Sequence, residues 1–256
     1  MILVDTHTHL YLEQFDDDRS AIVDAAIDEG VKWMLLPAID STTLAAMKKL
    51  NQAYPMNCLP MMGLHPTSVK DNFEEELKLV ENELASGNYI AVGEIGIDLY
   101  WEKEHEEEQK DAFRRQLRWA KKYNLPVSIH TRDSFDMTYQ IVKEESTGDL
   151  RGIFHCFTGT ETEAKKIMDI GFKMGIGGIV TFKNSGLSDI VKTIPEEFLV
   201  LETDAPFLTP TPFRGKRNQS AYLKYIVAKL AEIKSKSIDE MAEITTRNAM
   251  DIFPIE

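Results

Sequence analysis

The chain has only two cysteines, Cys58 and Cys156, set 98 residues apart and with no CxxC. That excludes a disulfide framework and a thiolate zinc ribbon, and it favours a reducing, cytoplasmic setting. No run approaches the roughly 18 apolar residues that a transmembrane helix needs, so no membrane partner is expected. The opening MILVDTHTHL lacks a basic n-region and a small-residue cleavage site, so no signal peptide is expected. Basic residues are in deficit, with 29 Lys and Arg against 42 Asp and Glu and a net charge of −13. Such a balance weighs against a protein that coats duplex nucleic acid. It leaves room for an enzyme that binds phosphates at one spot. Low-complexity tracts and long linkers are also missing. With 256 residues, 43% of them hydrophobic, the chain can bury about three quarters of its unfolded surface, which excludes disorder.

What is present is an alternation of short apolar runs and longer amphipathic stretches. Strands are expected to begin near Ile2, Val31, Met56, Tyr89, Pro126, Gly152, Phe172 and Phe198, at a mean spacing of about 28 residues. A (β/α)8 barrel takes about 31 residues per unit. Eight runs at that period predict an α/β fold, one (β/α)8 TIM barrel spanning 1–256 as a single domain. The intervening stretches read as helices. Ala21, Ile22, Ala25 and Ala26 follow Asp18-Arg19-Ser20 and stop at Gly30, and Leu44, Met47 and Leu50 follow Ser41-Thr42-Thr43. Glu104 to Tyr123 is the longest predicted helix. Ala221 to Ile233 and Ile238 to Phe253 close the chain, the latter with Ser237 as N-cap. The seventh helix, between Thr181 and Ile194, is short and poorly patterned. The acidic run at 102–111 reads as a solvated loop and first helical turn, with His105 at the surface.

Six histidines occur in the chain, and five of them close or follow a predicted strand. His7 and His9 end the first strand, His65 follows the third, His130 ends the fifth and His155 the sixth. Glu94 ends the fourth and Asp204 the eighth. Barrel active sites lie at the C-terminal ends of the strands, so these groups converge on one mouth. In HxH the two side chains share a face, and two imidazoles in a lumen need their nitrogens satisfied. A metal does that. Imidazole with carboxylate suits zinc, manganese or iron, and the lack of thiolate removes softer choices. Six protein ligands exceed what one open catalytic zinc takes and suit two bridged ions. Glu94 is then the bridge, with His7, His9 and Asp204 on one ion and His130 and His155 on the other.

The segments DTHTHL, GLHP, GEIGIDLYW, LPVSIHTRD, HCFTG and LETDAP…RGKRN follow one another from residue 2 to beyond 218. In that order they resemble the successive motifs of the TatD family of metal-dependent deoxyribonucleases. The resemblance implies a metallo-dependent hydrolase barrel that cleaves phosphodiester bonds of DNA. It makes His7, His9, Glu94, His130, His155 and Asp204 metal ligands, and it places His65 and Arg214 near the substrate phosphate. Two positions depart from the family pattern. Tyr11 stands where members often carry Asp, and Phe213 stands where they often carry His.

The expected cofactor is a pair of divalent ions, Mg²⁺, Mn²⁺ or Zn²⁺, that activates a bridging water. Catalysis is assigned to Asp204, which orients the water and takes its proton, and to Glu94. Asp5, two residues before His7, reads as a supporting acceptor deeper in the barrel. Arg132 and Asp133 are expected to form an ion pair on the rim. Arg214, Lys216 and Arg217 crowd a glycine-containing loop after the eighth strand, where barrels often bind phosphate; Arg214 and Lys216 are expected to do so. Trp101 and Phe213 offer faces on which bases of a DNA end or single strand can stack. No obligatory protein partner is expected. The alternative reading is an amidohydrolase or esterase of small molecules on the same barrel.

Overall fold

The computed structural model describes residues 1–146 and 150–255. Its eight strands are β1 (Leu3–Asp5), β2 (Val31–Pro37), β3 (Cys58–Met61), β4 (Val92–Asp98), β5 (Val127–Arg132), β6 (Gly152–Phe154), β7 (Lys173–Ile176) and β8 (Leu199–Leu201). Every neighbouring pair is parallel, in the orders β1-β2-β3 and β4-β5-β6-β7-β8. Two seams join these sets into a (β/α)8 barrel. At one seam a parallel bridge links Met62 to Val92, and Gly93 N–H donates to Met62 O at 3.0 Å. At the other, Thr6 N–H and Oγ1–H both donate to Leu201 O, at 3.0 and 2.9 Å. The Asp5 carboxylate reinforces this seam by accepting Thr203 N–H at 2.9 Å and Thr203 Oγ1–H at 2.6 Å. Asp5 thus is a supporting acceptor, but it ties the first strand to the exit of the last.

Strands buried on both faces read as nearly continuous apolar runs. All seven residues of β4 are buried. The expected starts hold within a few residues. β3 begins late because Met56 sits in a turn, 75% exposed, with Cys58 N–H donating back to Tyr54 O. β4 begins at Val92, three residues after Tyr89, whose hydroxyl donates to the Glu83 carboxylate at 2.6 Å.

Nine helices lie among the described residues: α1 (Arg19–Asp28), α2 (Ser41–Ala53), α3 (Phe73–Ala85), α4 (Glu106–Tyr123), α5 (Phe135–Glu145), α6 (Glu161–Asp169), α7 (Leu187–Thr193), α8 (Leu223–Lys234) and α9 (Ile238–Ile252). Ser237 caps α9 as predicted, in a reciprocal box with Glu240, and α2 is capped by Asp40. α7 is only seven residues long and follows a 3₁₀ turn at Gly178–Thr181. None of the described helices is long and apolar enough to cross a membrane. The large core packs helix faces against strands. A separate cluster joins Val4, Leu35, Met61, Ile153 and Val200 with Phe253 and Ile255. Five strands around a ring meet only in its lumen, so this cluster fills the barrel beneath the mouth.

Candidate metal centre

Strand pairing delivers the polar side chains to one place. His155 N–H donates to Ile129 O, and Asp204 N–H donates to His7 O. These bonds register the ends of β5, β6, β8 and β1 against one another. At Gly96 (φ 147°) β4 passes so close to β5 that a Cβ would lie 1.9 Å from His130 O. Only glycine permits that approach.

Glu94 stands at the centre, 2% exposed. Its two oxygens face different partners. Oε1 lies 2.8 Å from His130 Nδ1, 2.8 Å from His155 Nε2 and 3.2 Å from His65 Nε2. Oε2 lies 3.0 Å from His7 Nε2 and 3.5 Å from His9 Nε2. Asp204 Oδ1 closes this second group, 3.6 Å from His9 Nε2 and 3.9 Å from His7 Nε2. The predicted division, His7, His9 and Asp204 against His130 and His155, therefore matches the two oxygens of Glu94. The halves also touch, since the His7 and His155 rings stack at 3.8 Å and Asp204 approaches both.

Three of the imidazoles are held from outside by residues that sequence reasoning did not single out for that role, while the fourth, His155, has a carboxylate nearby but no hydrogen bond to its Nδ1. His130 Nε2–H donates to Asp98 Oδ2 at 3.0 Å. His7 Nδ1 bonds Ser128 Oγ at 3.0 Å. The Tyr11 hydroxyl donates to Pro37 O at 2.5 Å, so its oxygen must accept from His9 Nδ1–H at 2.9 Å. Burial, helped by Glu94, holds the Tyr11 phenol well above its usual range, so it stays protonated. The family departure at position 11 thus has a local job, which is fixing the His9 tautomer. Behind His155, Glu202 accepts Cys156 N–H at 2.6 Å and comes within 3.7 Å of His155 Nδ1. Gly175 makes room for it, because a Cβ there would lie 1.9 Å from Glu202 Oε2.

These outer bonds decide what the inner nitrogens can do. For His130 and His9 the outer partner takes the ring proton, so a bare lone pair faces a carboxylate oxygen. Two acceptors at such a distance need a cation between them, either a proton or a metal. The donor set, imidazole and carboxylate with no thiolate in any cluster among the described residues, fits a divalent metal. Without such an ion, protons take the strain. Burial opposes charge on His155, yet Glu94 and Glu202 hold it well above the usual histidine range. Burial opposes ionisation of Glu94 too, but His155, His65 and His7 hold it well below the usual carboxylate range. Burial pushes Asp204 up to about 6, against the pull of His155 and His9.

His65 differs from its neighbours. Its Nδ1 accepts Thr67 N–H at 3.1 Å, so its proton sits on Nε2 and points at Glu94 Oε1. Although it is close enough to join a cluster, it is built as a donor.

Outside this centre the expectations divide. Arg214 lies exposed with its guanidinium 3.9 Å over the Phe182 ring, and Lys216 is exposed beside Phe213. Neither forms an ion pair among the described residues. Arg217 is taken up by Asp18 at 2.6 Å. Phe213 stacks on Tyr222 at 4.5 Å and meets the edge of Tyr225, so its role is packing. Trp101 is 68% exposed. The expected Arg132–Asp133 pair does not form; Arg132 lies over Tyr100 and Trp101 instead. In the acidic run, Glu102 and Gln109 are buried, and His105 is lodged between Glu102 and Asp71 rather than loose on the surface.

Known proteins resemble this chain from end to end. YabD of Bacillus subtilis, an uncharacterized metal-dependent hydrolase, is 40% identical over 99% of this chain and all of its own length. YcfH of Escherichia coli, likewise an uncharacterized metal-dependent hydrolase, is 33% identical over the whole of this chain and 97% of its own. The crystal structure of YjjV, a TatD homolog from Escherichia coli, superimposes with a TM-score of 0.93 at 29% identity, covering 99% of this chain and 98% of that one. The model of the TatD related DNase family matches residues 4–254, and with these relatives it shows that the chain belongs to that family and is a metal-dependent hydrolase.

Proposed function

We propose that this hydrolase is a deoxyribonuclease that cleaves phosphodiester bonds of DNA at an end or in a single strand, with two divalent cations. The observation that carries the reading is the division of Glu94, one oxygen toward His7 and His9 and the other toward His130 and His155. A carboxylate shared in this way suits a bridge between two ions. His7, His9 and Asp204 would hold one cation and His130 and His155 the other, with Mg²⁺, Mn²⁺ and Zn²⁺ all compatible with the donors. Bound there, the cations supply a water acidic enough to attack near neutral pH and offset charge on the phosphoryl oxygens.

The chain's own residues do the rest. Asp204, at the open edge of the cluster, accepts the proton of the attacking water. His65 Nε2–H donates to a phosphoryl oxygen. Arg214 and Lys216 bind a neighbouring phosphate, and a guanidinium with no carboxylate partner among the described residues is suited to do so. These two cations on an otherwise acidic protein favour a phosphodiester over a small neutral amide or ester.

Chelation tests the reading. After EDTA treatment and confirmed metal removal, cleavage of a single-stranded oligonucleotide should cease, and Mg²⁺ or Mn²⁺ should restore it. Undiminished cleavage without metal would overturn the proposal, as would a restored enzyme that hydrolyses a small ester but no oligonucleotide.

A further inference from the structure

We propose that Tyr100, Trp101 and Arg132 form a platform on the rim of the mouth that receives an unpaired nucleobase of the substrate. This inference rests on the deoxyribonuclease reading above. Of the three tryptophans, Trp33 and Trp119 are 5% and 8% exposed, whereas Trp101 is 68% exposed and Tyr100 beside it 50%. The two rings stand perpendicular, centroids 4.8 Å apart. Two consecutive large aromatics left in water next to a catalytic mouth are a surface that awaits a flat partner.

The turn that carries them is not loose. Asp98 Oδ1 accepts Tyr100 N–H at 2.9 Å and Trp101 N–H at 2.7 Å. From below, buried Gln109 holds the same turn, accepting Asp98 N–H at 2.9 Å and donating to Glu102 O at 3.0 Å. The other oxygen of Asp98 holds His130. One carboxylate therefore fixes both the aromatic turn and a ring of the metal centre, so the platform and the chemistry keep a set separation.

Arg132 supplies the charge. It leaves β5 two residues past His130, and its guanidinium lies 4.3 Å from the Tyr100 ring centre and 5.6 Å from that of Trp101. It forms no ion pair among the described residues. With the guanidinium carbon over the Tyr100 ring, N–H groups remain for a phosphate. Stacking needs no charge on the base, so it gives an acidic protein affinity that its net charge of −13 does not. In a duplex the base faces are covered by their neighbours, so the fitting ligand is an unpaired base, at an end or in a single strand.

The test pairs two oligonucleotides of equal length, one of thymidines and one of abasic sites, which carry the same phosphates. With the metal-loaded enzyme, Trp101→Ala should raise KM for the thymidine strand by roughly 5- to 150-fold, the range for one lost stack. KM for the abasic strand should not move. Trp101→Phe should restore most of the loss. Independently, a hydrolysis-resistant phosphorothioate thymidine strand should quench tryptophan fluorescence, since Trp101 is the exposed one, and the abasic strand should not. Equal KM shifts on both strands, or no quenching while cleavage proceeds, would overturn the platform and leave the nuclease reading standing. If neither strand is cleaved, the nuclease reading itself fails.

Discussion

The buried centre and the basic loop after β8 hold their polar groups under opposite rules. In the centre, His130, His9 and His7 each have one nitrogen committed to an outer partner and the other aimed at Glu94. In the loop, Arg214 and Lys216 lie exposed against aromatic rings and form no ion pair among the described residues. The fold has settled the geometry of the first before any ligand arrives, and it leaves the second to be settled by the ligand. Changes in the centre should therefore act on kcat and on metal, and changes in the loop on KM.

The sharpest way to break that contrast is at Glu94. Glu94→Ala disturbs both halves of the centre and should lower kcat by more than about 10⁴-fold, beyond the usual loss for one catalytic base. His65→Ala removes one donor and should cost about 10²–10³-fold. Equal losses in two well-folded variants would show that His65 belongs with the ligands. Next in size is Asp204→Asn, which keeps the shape and an oxygen but cannot take up a proton. A fall of about 10²–10⁴-fold in kcat with near-normal metal content is expected, from turnover and elemental analysis on one sample. Near wild-type turnover would move the proton to another group, Glu202 first.

Tyr11→Phe probes the outer partners alone. It removes one hydroxyl, frees the His9 tautomer and should weaken metal binding by about 10- to 100-fold, measured by calorimetry. Nitrogen chemical shifts of His9 in the metal-free protein should turn from one tautomer to a mixture. An unchanged His9 would mean that packing alone orients the ring. Smallest is Arg214→Ala, where an exposed group should cost about tenfold in KM with metal content intact. Lysine there should rescue only part, because ammonium lacks the planar fork. A kcat effect without a KM effect would erase the distinction between centre and loop.

The fold and the six central residues were legible because they share one rule. Strand period places residues at the lumen, and a parallel barrel gathers strand ends at one mouth. The outer partners escaped notice because each is polar in a way that invites a bland reading. Their signal was nonetheless there. Tyr11 lies two residues past His9, Ser128 two before His130, Glu202 two before Asp204 and Asp98 four past Glu94. Ser128 on β5 and Asp98 on β4 sit at the even spacing that keeps a strand's side chains on one face, while Tyr11 and Glu202 lie just beyond β1 and β8. The rim was read least well. Arg132 next to Asp133 suggested a salt bridge, but Asp133 adopts a left-handed backbone (φ 54°), and the arginine lies on the aromatic turn after β4 instead. Nothing local in the sequence foretells that β4–β5 contact.

The Asp5–Thr203 seam has a consequence for how the molecule comes together. It closes a loop of 198 residues, and drawing two chain segments together over that length costs about 5 kcal/mol of entropy before any contact repays it. His7 and His9 lie just after one side of the seam and Asp204 just after the other. A ring that has not shut has no Asp204 beside His9, so one half of the centre exists only in the closed form. Any cation that binds there selects closure, and at a hundredfold excess over its dissociation constant it adds about 2.7 kcal/mol in favour of the shut ring. An ion held there would thus also serve as a clasp, holding the first strand of the chain against the last.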